Sequence, residues 1–125
     1  MITVDTVVTV ADNKTLRVEM HYDEEDPAAV CFIFENEDET YVEWIFARDL
    51  LKEALEEERS GAGDVLFQVI GEQMKMGLIS PESKGFVLFD KELIEEFVEM
   101  IYEEVPEGED SYEWPEYFIL EEWSV

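Results

Sequence analysis

The chain has 125 residues, the size of one ordinary domain, and 46% of them are hydrophobic, enough to fill a core. Its formal net charge is −26, from 34 acidic and 8 basic residues. Such a surface repels nucleic-acid phosphates and anionic membranes, because affinity for both depends on Lys and Arg. The composition therefore predicts basic proteins, cations or apolar surfaces as partners, or a solvated acidic surface without a specific electrostatic role.

The cellular compartment is predicted from missing signals. No apolar run approaches the roughly 18 residues that a membrane-spanning helix needs. The N-terminus lacks the basic and then apolar segments of a secretory signal. Cys31 lies in an apolar run and is the single cysteine, so we expect a buried, reduced thiol. These features predict a cytoplasmic protein without direct membrane insertion.

The first half of the chain alternates polar and apolar residues, as antiparallel strands do. Short polar turns separate the alternating runs, and Asp12-Asn13 is typical of a hairpin turn. Pro27 favours the start of a new strand after the acidic turn before it. The predicted strands cover residues 2–10, 14–22, 28–35 and 42–46.

At Ala47 the apolar period changes from two to about 3.6, which predicts a helix over about 47–58 directly after the fourth strand. Asp49 suits the helix start, where free amides favour negative charge. We expect a buried Trp44 and an Arg48–Asp49 pair, and expect these residues to hold the junction together instead of contacting a partner. The proposed structural motif comprises Trp44, Phe46, Arg48, Asp49, Leu50 and Leu51.

The second half repeats the order of strands followed by a helix. The glycines of Gly61-Ala62-Gly63 are predicted to end the first helix, and Gly71 to begin a two-residue hairpin turn. Asp90 is predicted to cap a helix over about 91–104. The predicted strands cover residues 65–70, 73–80 and 85–89. From Ser111 an aromatic, acidic tail follows, with a short helix over about 116–123, either folded back on the core or used to hold a partner.

These elements predict an α+β fold with about seven antiparallel strands, two long helices and a short C-terminal helix. They offer little catalytic chemistry. His21 is the single histidine and falls on the polar face of a strand, without the further ligands of a zinc site. The acidic turn at residues 23–26 lacks the spacing and glycine of an EF-hand loop. We therefore predict no catalytic, metal or cofactor site, and a protein that is not an enzyme.

One stretch has a familiar pattern. Residues 42–51, VEWIFARDLL, followed by GAGDV at 61–65, resemble the SsgA-like family. Supporting similarities are YDEEDPAAV at 22–30, LFD at 88–90 and VPEG at 105–108, so the resemblance covers about residues 3–110. It implies a single SsgA-like domain over 1–125 with a divergent tail from 110. It further implies a curved antiparallel sheet of the whirly type that assembles into a homotrimer.

The resemblance also implies a function. The family controls sporulation-specific cell division in filamentous actinobacteria, and its best understood member helps to position the division GTPase FtsZ and promotes its assembly. We therefore expect a non-enzymatic regulator of septum-site selection, located at division septa and acting through protein contacts with FtsZ and other division proteins.

Three other interpretations stay open at this stage. The first is a whirly-type binder of single-stranded nucleic acid, against which the charge argues. The second is an acidic mimic of nucleic acid that occupies a basic protein site. The third is a designed variant that keeps the fold without the native partner.

Overall fold

The computed structural model describes residues 1–10, 13–79, 81 and 84–109. An eight-stranded antiparallel sheet, in the order β4-β3-β2-β1-β8-β7-β6-β5, carries two helices on one face. Along the chain the elements are β1 (Ile2–Thr9), β2 (Thr15–Tyr22), β3 (Ala29–Glu35), β4 (Tyr41–Ala47), α1 (Arg48–Glu57), β5 (Arg59–Ala62), β6 (Val65–Ile70), β7 (Gln73–Ile79), β8 (Lys84–Asp90) and α2 (Lys91–Glu104).

The sheet consists of two four-stranded meanders that meet at a narrow seam. β1 and β8 pair through Thr9 and Leu88, whereas the ladders inside each meander run the length of their strands. The sheet curls across this seam, so that strands far apart in the sheet order come into contact. The ring centroids of Phe46 in β4 and Phe67 in β6 lie 5.2 Å apart.

Alternate strand residues point to the inner face, which we define as the face that the helices cover. Phe32 is fully buried there, with its ring 5.0 Å from Phe46, 5.4 Å from Phe89 and 6.1 Å from Phe97. These contacts join both meanders to α2. Because burial of apolar surface is the dominant favourable term in folding, this aromatic cluster holds the curled sheet closed. The fully buried apolar side chains also include Met20, Leu51, Met74, Met76, Ile94 and Ile101.

The predicted α+β class and both long helices are confirmed, and α2 has its predicted bounds. The strand count was one too low, because Arg59–Ala62 forms β5, a four-residue strand whose glycine-containing sequence shows no clear alternation. The prediction that glycines end α1 was wrong as well. Glu58 takes the left-handed conformation there, with φ 68°, whereas Gly63 supplies φ 60° in the β5–β6 turn.

One helix cap and one turn have their predicted form. The Asp90 side chain accepts a hydrogen bond from the Glu92 amide at 3.1 Å and so caps α2 as predicted. Gly71 has φ 61° in the β6–β7 turn, also as predicted. Asp12 and the tail from residue 110, including the short helix predicted over 116–123, lie outside the described residues.

Trp44 is half-buried and not buried as predicted. It lies on the edge strand β4, where Phe46, two residues further on, is covered by Phe67 across the curl of the sheet. The cross-strand partner of Trp44 is Phe32. This register places a half-covered and a fully buried aromatic residue side by side on the same face.

We expect Phe32→Ala to lower the free energy of unfolding by about 3–5 kcal/mol, because it removes a ring with three aromatic neighbours. Trp44→Ala should cost less than half as much, since part of the indole is already in water. Urea unfolding of both variants measures the difference, and equal losses would contradict the burial described for β4.

Candidate functional site

The junction between β4 and α1 places a charged side chain in the core. Arg48, the first residue of α1, is 1% exposed. Its Nη1 donates hydrogen bonds to the Val105 carbonyl at 2.6 Å and to the Tyr22 hydroxyl at 3.3 Å, and its Nη2 donates to the Pro106 carbonyl at 3.2 Å. The guanidinium carbon also lies 4.1 Å from the centroid of the Tyr102 ring.

These contacts explain why an arginine lies at this position. The last carbonyls of a helix have no partner within it, and the helix dipole is negative there. α2 ends in Glu103 and Glu104 and has no basic residue in its last turn. From α1, Arg48 supplies a positive charge and a planar set of hydrogen-bond donors. Its side chain therefore satisfies the Val105 and Pro106 carbonyls, where the chain leaves α2, and fastens this segment to the sheet.

Two further contacts join the start of α1 to the end of α2. The Tyr102 hydroxyl donates a hydrogen bond to Asp49 Oδ1 at 2.9 Å, and Lys52 Nζ lies 2.6 Å from Glu107 Oε2. Arg48 and Asp49 therefore each bind the end of α2. The sequence analysis predicted instead that they would bind each other. Of the other motif residues, Phe46, Leu50 and Leu51 are buried and Trp44 is half-buried.

The sequence resemblance identified both sides of this contact, at residues 42–51 and 105–108, without showing that they touch. The missed participants are Tyr22 and Tyr102. Tyr22 also donates a hydrogen bond to the Pro27 carbonyl at 2.8 Å. The signal that could have found them is a tyrosine at an inward strand position and another on the apolar stripe of a helix, where each hydroxyl needs a partner.

In the first meander, the outer face of β1–β4 is the sheet face that the helices do not cover. Its cysteine, Cys31, is half-buried on this face and not in the core as predicted. The thiol donates a hydrogen bond to Glu43 Oε1 at 3.2 Å. Burial, and then the neighbouring Glu43 carboxylate, raise the pKa of Cys31 to about 12. The thiol is thus protonated at neutral pH and is a poor nucleophile.

His21 lies on the same face. Its Nδ1 is 3.2 Å from Thr3 Oγ1 across the β1–β2 ladder, and its Nε2 is 3.6 Å from Glu19 Oε2 on its own strand. Among the described residues, no group of three or more His, Cys, Asp or Glu side chains could hold a metal ion. In the same part of the chain, no helix is long and apolar enough to cross a membrane.

The outer face of β5–β8 has a different character. Its register aligns Arg59, Gln68, Lys75 and Leu88 in one row across the four strands. The adjacent row contains Gly61, Leu66, Gly77 and Phe86. Between the two rows lies a shallow groove of about 330 Å³, lined by residues of both. We call this surface the β5–β8 outer face.

The geometry defines a class of protein. It is an α+β protein with a curled sheet, whose buried polar chemistry fastens helices together. The surfaces it leaves accessible are broad sheet faces, the acidic outer sides of the helices, and loops.

The comparisons with known proteins give the family. The family model described as "Streptomyces sporulation and cell division protein, SsgA" matches residues 16–110. The chain therefore belongs to the SsgA family, as the sequence resemblance predicted.

Two relatives carry the name sporulation-specific cell division protein SsgB. The chain is 34% identical over 98 residues to the protein of Kineococcus radiotolerans, and 32% identical over 99 residues to that of Saccharopolyspora erythraea. The first alignment covers 74% of this chain and 58% of the relative, and the second covers 77% and 70%. The chain thus spans less than two thirds of the first relative and somewhat more of the second.

Solved structures agree with this assignment. A structure described with the words "Mutations in SsgB correlate to longitudinal cell division during sporulation of Streptomyces coelicolor" superposes with a TM-score of 0.79. It is 28% identical, and the match covers 87% of this chain and 91% of that one. An SsgA-like sporulation-specific cell division protein of Thermobifida fusca gives a TM-score of 0.76 at 28% identity, covering 87% and 85%. The curled, half-barrel sheet with two helices is thus the fold of this family.

We expect Arg48→Ala to lower the free energy of unfolding by about 2–4 kcal/mol, because the part-buried carbonyls of Val105 and Pro106 lose a charged donor and a buried side chain is removed. Arg48→Lys should recover only part of this loss, since an ammonium cannot reproduce the planar fork. Arg17→Ala, at an exposed site on β2, serves as the control and should stay within about 0.5 kcal/mol of the wild type.

Hydrogen exchange makes the Arg48 test specific. The amide of Val105, which bonds to the Ile101 carbonyl at 3.0 Å, should exchange faster in Arg48→Ala than amides in the middle of α2. Uniformly faster exchange along α2 would contradict a local role for Arg48 at the helix end.

A second contact at this end of α2 depends on pH. A hydrogen bond with Glu24, and the repulsion between the two carboxylates, raise the pKa of Glu104 above its ordinary value of 4.5. A carboxyl whose pKa is raised by folding stabilises the fold while it is protonated, and this stability is lost as the pH rises through the folded pKa.

We therefore expect Glu104→Gln to melt at a higher temperature than the wild type at pH 7, and the difference to vanish below the ordinary pKa of 4.5. Glu103→Gln removes the same charge from the same helix turn and is the matched control. A gain for Glu103→Gln with the same pH profile would show that overall charge, and not the contact with Glu24, is responsible.

Proposed function

We propose that this chain is a non-enzymatic regulator of sporulation-specific cell division that takes part in septum-site selection. In this proposal it recruits the division GTPase FtsZ, or promotes its assembly, through protein–protein contacts. The observation that carries the proposal is the family match over residues 16–110, together with relatives named for sporulation-specific cell division. A TM-score of 0.79 over 87% of the chain supports a common architecture.

The character of the side chains supports binding over catalysis. The polar group most deeply placed in the described core, Arg48, uses its donors to hold the end of α2. The Cys31 thiol has a pKa raised to about 12, the reverse of what a nucleophilic cysteine needs. The two ring nitrogens of His21 lie close to Thr3 on β1 and to Glu19 on β2. We propose that the outer sheet faces and the loops supply the contacts with partners.

We further propose that the chain acts in the cytoplasm at division septa, as a single domain that assembles into a homotrimer. Three copies would carry a formal charge of −78, three times −26. Like charges at this density repel at low ionic strength and are screened within about 8 Å at physiological salt. The trimer should therefore form more readily as salt rises, and light scattering at two salt concentrations tests this.

Expression of the chain in Streptomyces coelicolor that lacks SsgB tests the division role. We expect at least partial recovery of sporulation septa, scored by membrane staining of aerial filaments. Accumulation of the chain is checked by immunoblot in the same strains, with an empty vector as the control. Stable accumulation without any septa would contradict the proposed role.

Purified components test the partner separately. We expect the chain to increase the amount of Streptomyces coelicolor FtsZ that sediments with GTP, with little effect in GDP. Serum albumin at the same concentration controls for crowding. Septa restored in cells without any effect on FtsZ sedimentation would support the division role and reject FtsZ as the direct partner.

A further inference from the structure

The charge of this chain is distributed unevenly over its surfaces. Of the outward-facing positions on β5–β8, three are basic, Arg59, Lys75 and Lys84, and one is acidic, Asp90, so the formal charge is +2. The corresponding face of β1–β4 carries Arg17 against Asp5, Glu19, Glu35 and Glu43, a formal charge of −3. One sheet face of a chain with charge −26 is thus weakly positive.

The basic residues of this face also differ in what they contact. Lys14, Arg17, Lys52 and Lys91 each have a carboxylate within 4.0 Å. Within the described ranges, no carboxylate lies that close to Arg59 or Lys75. This is unusual in a chain whose acidic residues outnumber its basic ones by 34 to 8.

Apolar side chains accompany the two bases. Leu66 is 47% exposed, Ile70 48% and Phe86 41%, and all three point outward on β6 and β8. Lys75 Nζ lies over the Phe86 ring, 4.5 Å from its centroid. Exposed apolar side chains thus lie on both sides of the row that contains Arg59 and Lys75, and a patch of this kind marks a surface that binds another molecule.

Gly77 in the second row leaves room for a side chain beside Leu66. Gly77 and Gly61 flank Leu66 across the ladders and contribute no side chains of their own. A Cβ at Gly61 would collide with Cδ2 of Leu66, so Leu66 itself fills the space above Gly61. A Cβ at Gly77 would meet Cβ and the carbonyl oxygen of Leu66 only at 3.6 and 3.8 Å, so the space above Gly77 stays open. The groove of about 330 Å³ that results has Arg59 and Lys75 in its lining. It is large enough to take one aromatic or branched aliphatic side chain.

We propose that the β5–β8 outer face binds an acidic polypeptide segment, which inserts one large apolar side chain into this groove and pairs carboxylates with Arg59 and Lys75. The two bases lie in one row with Gln68 on the strand between them, and so are separated by two interstrand spacings, roughly 10 Å. In a segment with the polyproline II conformation, which has three residues per turn and a rise of about 3.1 Å per residue, acidic residues three positions apart lie on the same side, about 9 Å apart.

Charge and shape favour a polypeptide over nucleic acid. A long polyanion would be repelled by the remaining surface, because the chain as a whole carries −26. Base stacking needs free aromatic faces, and on the outward positions of β5–β8 the aromatic residue is Phe86, whose ring already lies under Lys75. A short acidic segment can place all its charges close to Arg59 and Lys75, so it does not extend over the acidic remainder of the surface.

The inference deepens the proposed function by naming the chemistry of the partner, and it rests on that function only for the expectation that the partner is a protein. The two can fail separately. Binding of a short acidic peptide is measured in vitro, without FtsZ and without a sporulating cell.

Fluorescence anisotropy with the full chain tests the proposal. The probe is a fluorescein-labelled extended peptide with glutamates three positions apart and phenylalanine and leucine between them. We expect saturable binding that weakens as salt rises. A peptide with glutamine at every glutamate, and one with serine at every apolar position, should each bind about tenfold more weakly or not at all.

Charge reversal locates the binding surface. Arg59→Glu and Lys75→Glu should each weaken binding about tenfold, with far-UV circular dichroism and melting temperature close to the wild type. Arg17→Glu makes the same change of charge on the outer face of β1–β4 and should leave binding nearly unchanged. Phe86→Ser should weaken binding while leaving the charge unaltered.

Several outcomes would overturn the proposal. They are an absence of saturable binding, equal binding of the glutamine peptide, or an equal loss for Arg17→Glu. A further outcome is tighter binding of labelled oligothymidylate than of the acidic peptide, abolished by Lys75→Glu. This result would assign the surface to single-stranded nucleic acid instead.

Discussion

The hydrogen bonds from Arg48 to the end of α2 are the constraint on which the arrangement of the helices depends. One guanidinium, supplied by the first residue of α1, satisfies the Val105 and Pro106 carbonyls and touches Tyr22 in β2. Because Arg48 follows β4 without a loop, its position is set by the sheet, and its amide bonds to the Ala28 carbonyl at 2.9 Å. The end of α2 is thereby fixed relative to the first meander, 57 residues away in sequence from the arginine that holds it.

This fixed point matters because the two meanders share so little backbone pairing. The Thr9–Leu88 pair alone would leave their relative angle poorly defined. The aromatic contacts across the curl, such as Phe32 with Phe89, hold the two meanders together. They do not fix the angle between the meanders, since apolar burial is not directional. Directional bonds at the Arg48 cluster, and the bond from the Ser60 hydroxyl to the Leu50 carbonyl at 2.6 Å, fasten α1 to α2 and to β5. Packing thus closes the sheet, and these hydrogen bonds determine how it closes.

The elements that the sequence predicted well are those with a strong local period. α2 and the strands on both sides of the Gly71 turn alternate or repeat clearly, and their bounds were predicted to within a residue or two. β5 was missed because Arg59–Ala62 has no alternation and owes its strand conformation to pairing with β6. The burial of Trp44 was overestimated because periodicity shows which face of the sheet a residue takes and not which distant elements cover it there. Likewise the partners of Arg48 come from elements distant in the chain, which no local pattern can identify.

The same reasoning explains how a chain of charge −26 can carry a weakly positive face. The two helices hold ten acidic residues against three basic ones, and they cover the inner face of the sheet. Their carboxylates point away from the sheet, so the core and the strands separate them from the outer face of β5–β8. At physiological salt the screening length of about 8 Å is comparable with the spacing of sheet layers, about 10 Å. A ligand on the outer face therefore senses mainly Arg59, Lys75 and Lys84, while the acidic helices dominate at longer range and keep large polyanions away. Net charge in this protein limits which molecules approach, and the local arrangement of a few bases and apolar side chains determines which of them bind.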